Sequence, residues 1–325
     1  MTGGPHALTR KPHNHVVNFY DDDDDVIAEV TNYVAEGLRQ GEAAVIVATR
    51  AHRNALDAGL FRHGIDSSRA RESEQYHCLD AADTLSAFMV NGEPERGRFT
   101  SVVGGFIARA AKGERPVRAF GEMVALLWEA GNVSGAIELE SLWNELAQDH
   151  QFSLYCAYPI SSLFEDGDLI AASRVCDHHT GVVAPLSYTS SAARPVQVDD
   201  AGSRSQVFVP VPSAVPAARR FVADTLLAWN ERHLVDHASL VVSELATNAV
   251  RHASSAFRAS ICRDDSVIRI AVHDVSSMRP EQADPAPEAL GGRGVAIVDR
   301  LSVRWGTDLL ADGKVVWSEL ARSAG

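Results

Sequence analysis

The chain is 325 residues long, with 46% hydrophobic and 22% charged residues, a composition that excludes wholesale disorder and suffices for two domains. Its 43 acidic residues against 30 basic ones leave a formal net charge of −13; such a surface repels phosphate, so direct nucleic-acid binding is not expected of it. No uncharged apolar stretch reaches the roughly 20 residues that span a bilayer, Met1 to Lys11 lack the apolar middle of a signal peptide, and the 4 cysteines form no C-x-x-C and read as reduced thiols, so a cytoplasmic protein that does not engage a membrane is expected.

In chain order, residues 1–14 read as a disordered tail. Val26 to Arg39 places Ile27, Val30, Tyr33, Val34 and Leu38 on one helical face. Asp21 to Asp25 just before it read as a solvated helix start favoured by the dipole, since adjacent acids point in different directions and hold no metal together. Ala43 to Ala48 is a continuous apolar run, the mark of a strand buried on both sides. Helices are predicted at His52 to Phe61, Ala81 to Val90, Phe99 to Ala111, Met123 to Glu129 and Ser134 to Gln148. Further strands are predicted at Tyr76 to Leu79, Val117 to Phe120 and Phe152 to Ala157. Strands separated by helices argue for a mainly parallel α/β sheet over 15–180. Residues 181–205, rich in Ser, Ala, Pro and Gly without helical period, read as a linker.

From 206 to 325 the order of elements changes. A strand at Gln206 to Val211 precedes helices at Ala214 to Trp229 and His233 to His252. Strands Phe257 to Arg263 and Val267 to His273 join through Asp264-Asp265. Gly294 opens a short helix to Leu301, and Val303 to Leu309 and Lys314 to Leu320 form a closing hairpin. This pattern argues for an α+β sandwich with helices on a mixed sheet. On the helix His233 to His252, Glu244 and Asn248 lie at i, i+4 and reach one spot. A carboxylate there can take a proton, and an amide oxygen is a hard ligand for Mg²⁺. Asp274 ends an apolar strand, where a carboxylate can accept from an exocyclic amine. Leu290-Gly291-Gly292-Arg293-Gly294 precedes a helix, where exposed amides suit a phosphate. Each feature alone also fits an ordinary amphipathic helix or turn; their order is the informative part.

ELATNAVRHA (Glu244 to Ala253) resembles the N box of the GHKL ATP-binding fold, VHDVSS (Val272 to Ser277) its first glycine box and GGRGVAIVDRL (Gly291 to Leu301) its second. Trp305-Gly306 and Gly313 to Leu320 are similar to the end of the short actinobacterial anti-sigma-factor serine kinases. The resemblance implies a protein serine/threonine kinase using ATP and Mg²⁺. In it Glu244 is the general base, Asn248 ligates Mg²⁺, Asp274 binds the adenine amine, Gly292, Arg293 and Gly294 lie at the phosphates, and Lys314 belongs to the nucleotide site. It also implies a sigma factor, an anti-anti-sigma (STAS) protein or both as partners, and a homodimer. Val275, Ser276 and Ser277 stand where the first glycine box has glycines, which favours the alternative of a docking module without kinase activity.

HNHVVNFYDDDDDVIAEVTNYVAEGLRQGEAAVIVATRAHRNAL, RAFGEMVALLWEAGN, LESLWNEL and FSLYCAYP resemble MEDS-type sensory domains, similar to the RecA/KaiC type of α/β fold. The resemblance implies a sensor of a small molecule. There is no G-x-x-x-x-G-K-[ST] loop after Ala43 to Ala48, so a second ATPase is not expected. A ligand would lie at the carboxyl ends of the strands, near Tyr20, Thr49, Arg50, His52, Gly121, Glu122 and Tyr158. Glu122 reads equally as a ligand-binding acid or a cap on the next helix. Glu140 and Asn144 read as a solvated face or cap. His13, His15, His178, His179 and Cys176 fit no common metal spacing, so exposed or locally paired histidines are expected.

Overall fold

The computed structural model describes residues 14–161, 169–188, 202–253, 255–278 and 294–322. By internal contacts the chain divides into two compact units, as far as each is described: residues 1–16, 27–156 and 179–181 form one, and 17–26, 157–178 and 182–325 the other. Among the described residues no helix is long and apolar enough to cross a membrane.

The amino-terminal elements run as follows. Strand β1 (His15–Tyr20) leads into the helix Asp23–Arg39, whose first turn carries Asp23, Asp24 and Asp25 and whose last carries Arg39, as the dipole favours. Asp22 Oδ1 accepts from the Asp24 amide at 2.8 Å, so this acidic run starts a helix. Strand β2 (Ala43–Ala48) is buried at every position. The helix Arg50–Arg62, strand β3 (Tyr76–Asp80) and the helix Ala81–Phe88 follow. Met89 and Val90, predicted to continue that helix, instead form β4 (Met89–Val90), paired with β5 (Glu93–Pro94). Asn91 and Gly92 between them take φ of 52° and 87°, the left-handed backbone that an Asn-Gly hairpin turn requires. The helix predicted at Phe99 to Ala111 is broken in its first half by a π-helical turn, Thr100–Gly104.

Strand β6 (Val117–Gly121), the helices Met123–Glu129 and Val133–Asp149, and β7 (Phe152–Pro159) match the predicted elements closely. The helix Leu169–Asp177 and β8 (Gly181–Val183) complete the set. Six strands make one sheet in the order β3-β2-β6-β7-β1-β8, and β2 with β3, β2 with β6 and β6 with β7 are parallel. Strand β1 was not predicted. It buries His15 and Asn18 among its apolar residues, and these polar positions break the apolar run by which β2 is recognised.

The carboxy-terminal sheet contains β9 (Ser203–Phe208), β10 (Phe257–Arg263), β11 (Val267–Asp274), β12 (Arg304–Leu310) and β13 (Gly313–Ala321), in the order β12-β13-β11-β10-β9. All its pairs are antiparallel, which corrects the expectation of a mixed sheet. The reason is the number of helices per connection. Two helices, Ala214–Ala228 and Val235–Asn248, separate β9 from β10, and the second reverses the direction the first would have restored. A single helix, Gly294–Leu301, separates β11 from β12. Those two strands do run the same way, but β13 lies between them.

Burial alternates along β11, so Ile268, Ile270, Val272 and Asp274 point to one covered side. Of the predicted linker, residues 181–183 are β8, Leu186–Tyr188 is a 3₁₀ turn, and 203–205 begin β9; residues 189–201 lie outside the described residues. Tyr188 is anchored within the second unit. Its Oη accepts from the Val209 amide at 3.2 Å, its carbonyl accepts from Arg220, and its ring centroid lies 5.6 Å from that of Phe208.

Candidate functional site

In the carboxy-terminal part the helix Val235–Asn248 buries Val242, Leu245 and Ala246 and leaves Glu244, Thr247 and Asn248 half-buried, as the 3.6-residue spacing predicts. The α-helical form ends at Asn248 and gives way to a π-helical turn, Ala249–Ala253, where the sequence predicts unbroken helix. Such turns are rare and recur at functional sites.

Gly294, the first residue of the helix Gly294–Leu301, lies against this face: a Cβ added there would stand 2.5 Å from Glu244 Oε2. With glycine there the Glu244 carboxylate can lie beside a helix start, and a larger residue would require the end of that side chain to move. Gly292 and Arg293, which the resemblance places at the phosphates, lie outside the described residues.

Asp274 is 2% exposed at the end of β11 and sits directly across from Lys314 in β13. Lys314, 5% exposed, donates from Nζ to Asp274 Oδ1 at 2.7 Å and to the Ser276 carbonyl at 3.2 Å. The Ser276 amide donates to the same Oδ1 at 2.9 Å. The non-glycine segment after Asp274 is thus turned back on the carboxylate. Next to it His273 is pushed below the ordinary imidazole range by burial, against the pull of Asp312. Gly313, with φ of 145°, packs so closely on Asp274 that a Cβ would overlap the Asp274 carbonyl oxygen.

Glu244 and Asn248 offer hard oxygens, Gly294 leaves a cradle that a Cβ would fill, and Asp274 offers a carboxylate on the covered side of the sheet. Asp274 and Lys314 were both named from the sequence, whereas their contact with one another emerges only from the pairing of β11 with β13.

At the carboxyl ends of the amino-terminal strands, the structure brings His52 and Glu122 together in a hydrogen bond between His52 Nδ1 and Glu122 Oε1. Glu122 Oε2 accepts from the Thr49 amide at 2.9 Å. Of the two readings of Glu122, a cap on its own helix fails, because its side chain makes no such bond; it holds the start of the neighbouring helix Arg50–Arg62 instead. Arg50 is exposed. Tyr20 and Tyr158 are buried in the other contact unit, Tyr158 with its ring centroid 6.0 Å from that of Phe19. Sequence reasoning missed the ion pair of Arg53 Nη2 with Asp80 Oδ2, at 2.5 Å. An acid ending β3, followed at once by a helix whose amides it caps, was the available signal. Glu140, expected on a solvated face, is fully buried.

The family model of the MEDS domain (MEthanogen/methylotroph, DcmR Sensory domain) matches residues 14–176, and that of the histidine kinase-like ATPase domain matches residues 208–317. No curated protein matches the chain. A sensory-type domain joined to a histidine kinase-like ATPase domain is the make-up of a signalling regulator. The chain belongs to the MEDS family, with a histidine kinase-like ATPase domain following its sensory domain.

Proposed function

We propose that the chain is a cytoplasmic regulator whose MEDS domain, on meeting a small-molecule signal, controls an ATP-binding domain of the anti-sigma-factor serine kinase type. The observation that carries this reading is the joint placement of Glu244, Asn248 and Gly294 on one half-buried face, with Asp274 held at the end of β11. Asn248 would hold Mg²⁺, Asp274 would accept from the adenine amine beside Lys314, and the amides at Gly294 would face the phosphates. ATP with Mg²⁺ supplies the phosphoryl group. Glu244 positions and deprotonates the acceptor hydroxyl of a STAS-type anti-anti-sigma protein, and the same domain sequesters a sigma factor.

The test is transfer from radiolabelled ATP to a candidate STAS protein, with partner binding measured separately. Glu244→Ala is expected to lower transfer by about 10²- to 10⁴-fold and leave partner binding intact. Unchanged transfer refutes the base.

The segment Val275–Ser277 favours a second reading. Its backbone is tied to Asp274 and Lys314 and replaces the expected glycines, as suits a domain that docks partners without transferring phosphate. Partner binding with no measurable transfer by the wild-type chain would select it.

A further inference from the structure

Outside both sites, four chemically apt side chains converge in the first contact unit. His15 opens β1, Glu140 lies in mid-helix on Val133–Asp149, Cys156 is inside β7, and His179 comes just before β8. One donor atom from each lies within 4.8 Å of the others. His15 Nε2 is 3.3 Å from both Cys156 Sγ and Glu140 Oε2. His179 Nε2 is 3.5 Å, and Cys156 Sγ 3.6 Å, from the same Glu140 oxygen. The side chains of His15, Glu140 and His179 are 0% exposed, and Cys156 is 0% exposed as a residue.

These separations decide between two accounts. Direct charge-assisted hydrogen bonds between imidazole and carboxylate close to about 2.7–2.9 Å, and the two contacts here are longer. A tetrahedral zinc ion with bonds of about 2.0–2.3 Å holds its donor atoms about 3.3–3.8 Å apart; the four separations given above fall in that range, and every pair lies within 4.8 Å. The outer partner agrees. His15 Nδ1 lies 3.0 Å from Asn144 Oδ1. An amide oxygen only accepts, so Nδ1 carries the proton and the lone pair of Nε2 faces the cluster, the arrangement of a metal-bound histidine.

We propose that His15, Glu140, Cys156 and His179 form a closed four-ligand site for a divalent transition-metal ion of the zinc type. Two neutral imidazoles, one carboxylate and one thiolate balance a double positive charge, which makes the burial of Glu140 tolerable. Burial, and after it the Glu140 carboxylate, push the Cys156 thiol well above its ordinary range; a bound cation reverses this, so uptake releases a proton. With four protein ligands and no exposed side chain, the site is of the structural or metal-sensing kind and leaves no coordination position open to substrate.

Cobalt(II) is the probe, added to the full-length chain purified without a polyhistidine tag. The folded wild type is expected to take up stoichiometric cobalt, with the visible bands of a tetrahedral ion and a thiolate-to-cobalt charge-transfer band, and zinc should displace it. Cys156→Ser should abolish the charge-transfer band, Cys262→Ser, at an exposed thiol, should leave it intact, and Asn144→Ala should weaken affinity about 10- to 100-fold. Absence of the bands in the folded wild type overturns the proposal whatever the variants do. A charge-transfer band that survives Cys156→Ser, or is lost with Cys262→Ser, overturns it equally.

Discussion

Asp274 and Lys314 form a buried ion pair across β11 and β13, and removing one member of such a pair strands the other charge. Asp274→Asn is expected to destabilise the full-length chain by about 3–5 kcal/mol. Adding Lys314→Met should restore most of that loss, because no unpaired charge is then left in the interior. Urea unfolding of the four members of the cycle checks this, and additive losses would refute the pairing. Nucleotide binding, measured by calorimetry, should fall in all three variants, which separates the role in stability from the role in the site. His273 gives a pH-dependent counterpart. Its folded value lies below the ordinary one, so across that window the unfolded chain binds more protons and stability falls as pH drops through about 6.5. His77, also lowered chiefly by burial, acts in the same direction. The stability difference between His273→Gln and wild type should therefore shift in favour of the variant between about pH 7.5 and about pH 5; a flat difference would refute it. At this scale the sequence revealed residues better than their pairings. Asp274, Glu244 and Glu122 stand at strand or helix positions that periodicity marks, whereas the pairing of Lys314 with Asp274, that of His52 with Glu122, and the convergence of residues 15, 140, 156 and 179 depend on which strands lie side by side.

Among the elements, the helices and strands with regular patterns were legible: Ala43–Ala48, Met123–Glu129, Phe257–Arg263 and Gly294–Leu301 have the predicted bounds. What was missed follows from local backbone changes that hydrophobic spacing does not register. The two π-helical turns keep the apolar rhythm of an α-helix, and the small β4–β5 hairpin was announced only by Asn91-Gly92. Two glycines allow the elements to be tested. Gly313→Ala puts a Cβ into the Asp274 carbonyl and 2.7 Å from Val275 Cα, and is expected to cost about 1–3 kcal/mol. Gly294→Ala meets the mobile end of the Glu244 side chain instead, so stability should hold or rise by under about 1 kcal/mol while phosphoryl transfer drops. Thermal unfolding and transfer assays on the two variants separate these outcomes; a loss of stability at 294 equal to that at 313 would contradict the argument.

For the whole molecule, a sensory domain regulates its neighbour only if the signal binds one state of the chain better than another. Nucleotide affinity of the full chain is expected to differ from that of a fragment comprising residues 182–325, which retains the Tyr188 anchor; equal affinities with and without the signal would leave the first domain a tether. The strand order of the second sheet has a consequence for synthesis. Strand β13 is made after β9 to β12, yet it lies between β11 and β12. Until it emerges from the ribosome, β11 has one bare hydrogen-bonding edge and β12 has no neighbour among the described strands. A nascent chain halted before Gly313 thus carries an apolar strand open to any passing chain, and carries Asp274 without the lysine that neutralises it. The sheet and the proposed nucleotide site are completed by the same nine residues, Gly313–Ala321, at the same moment.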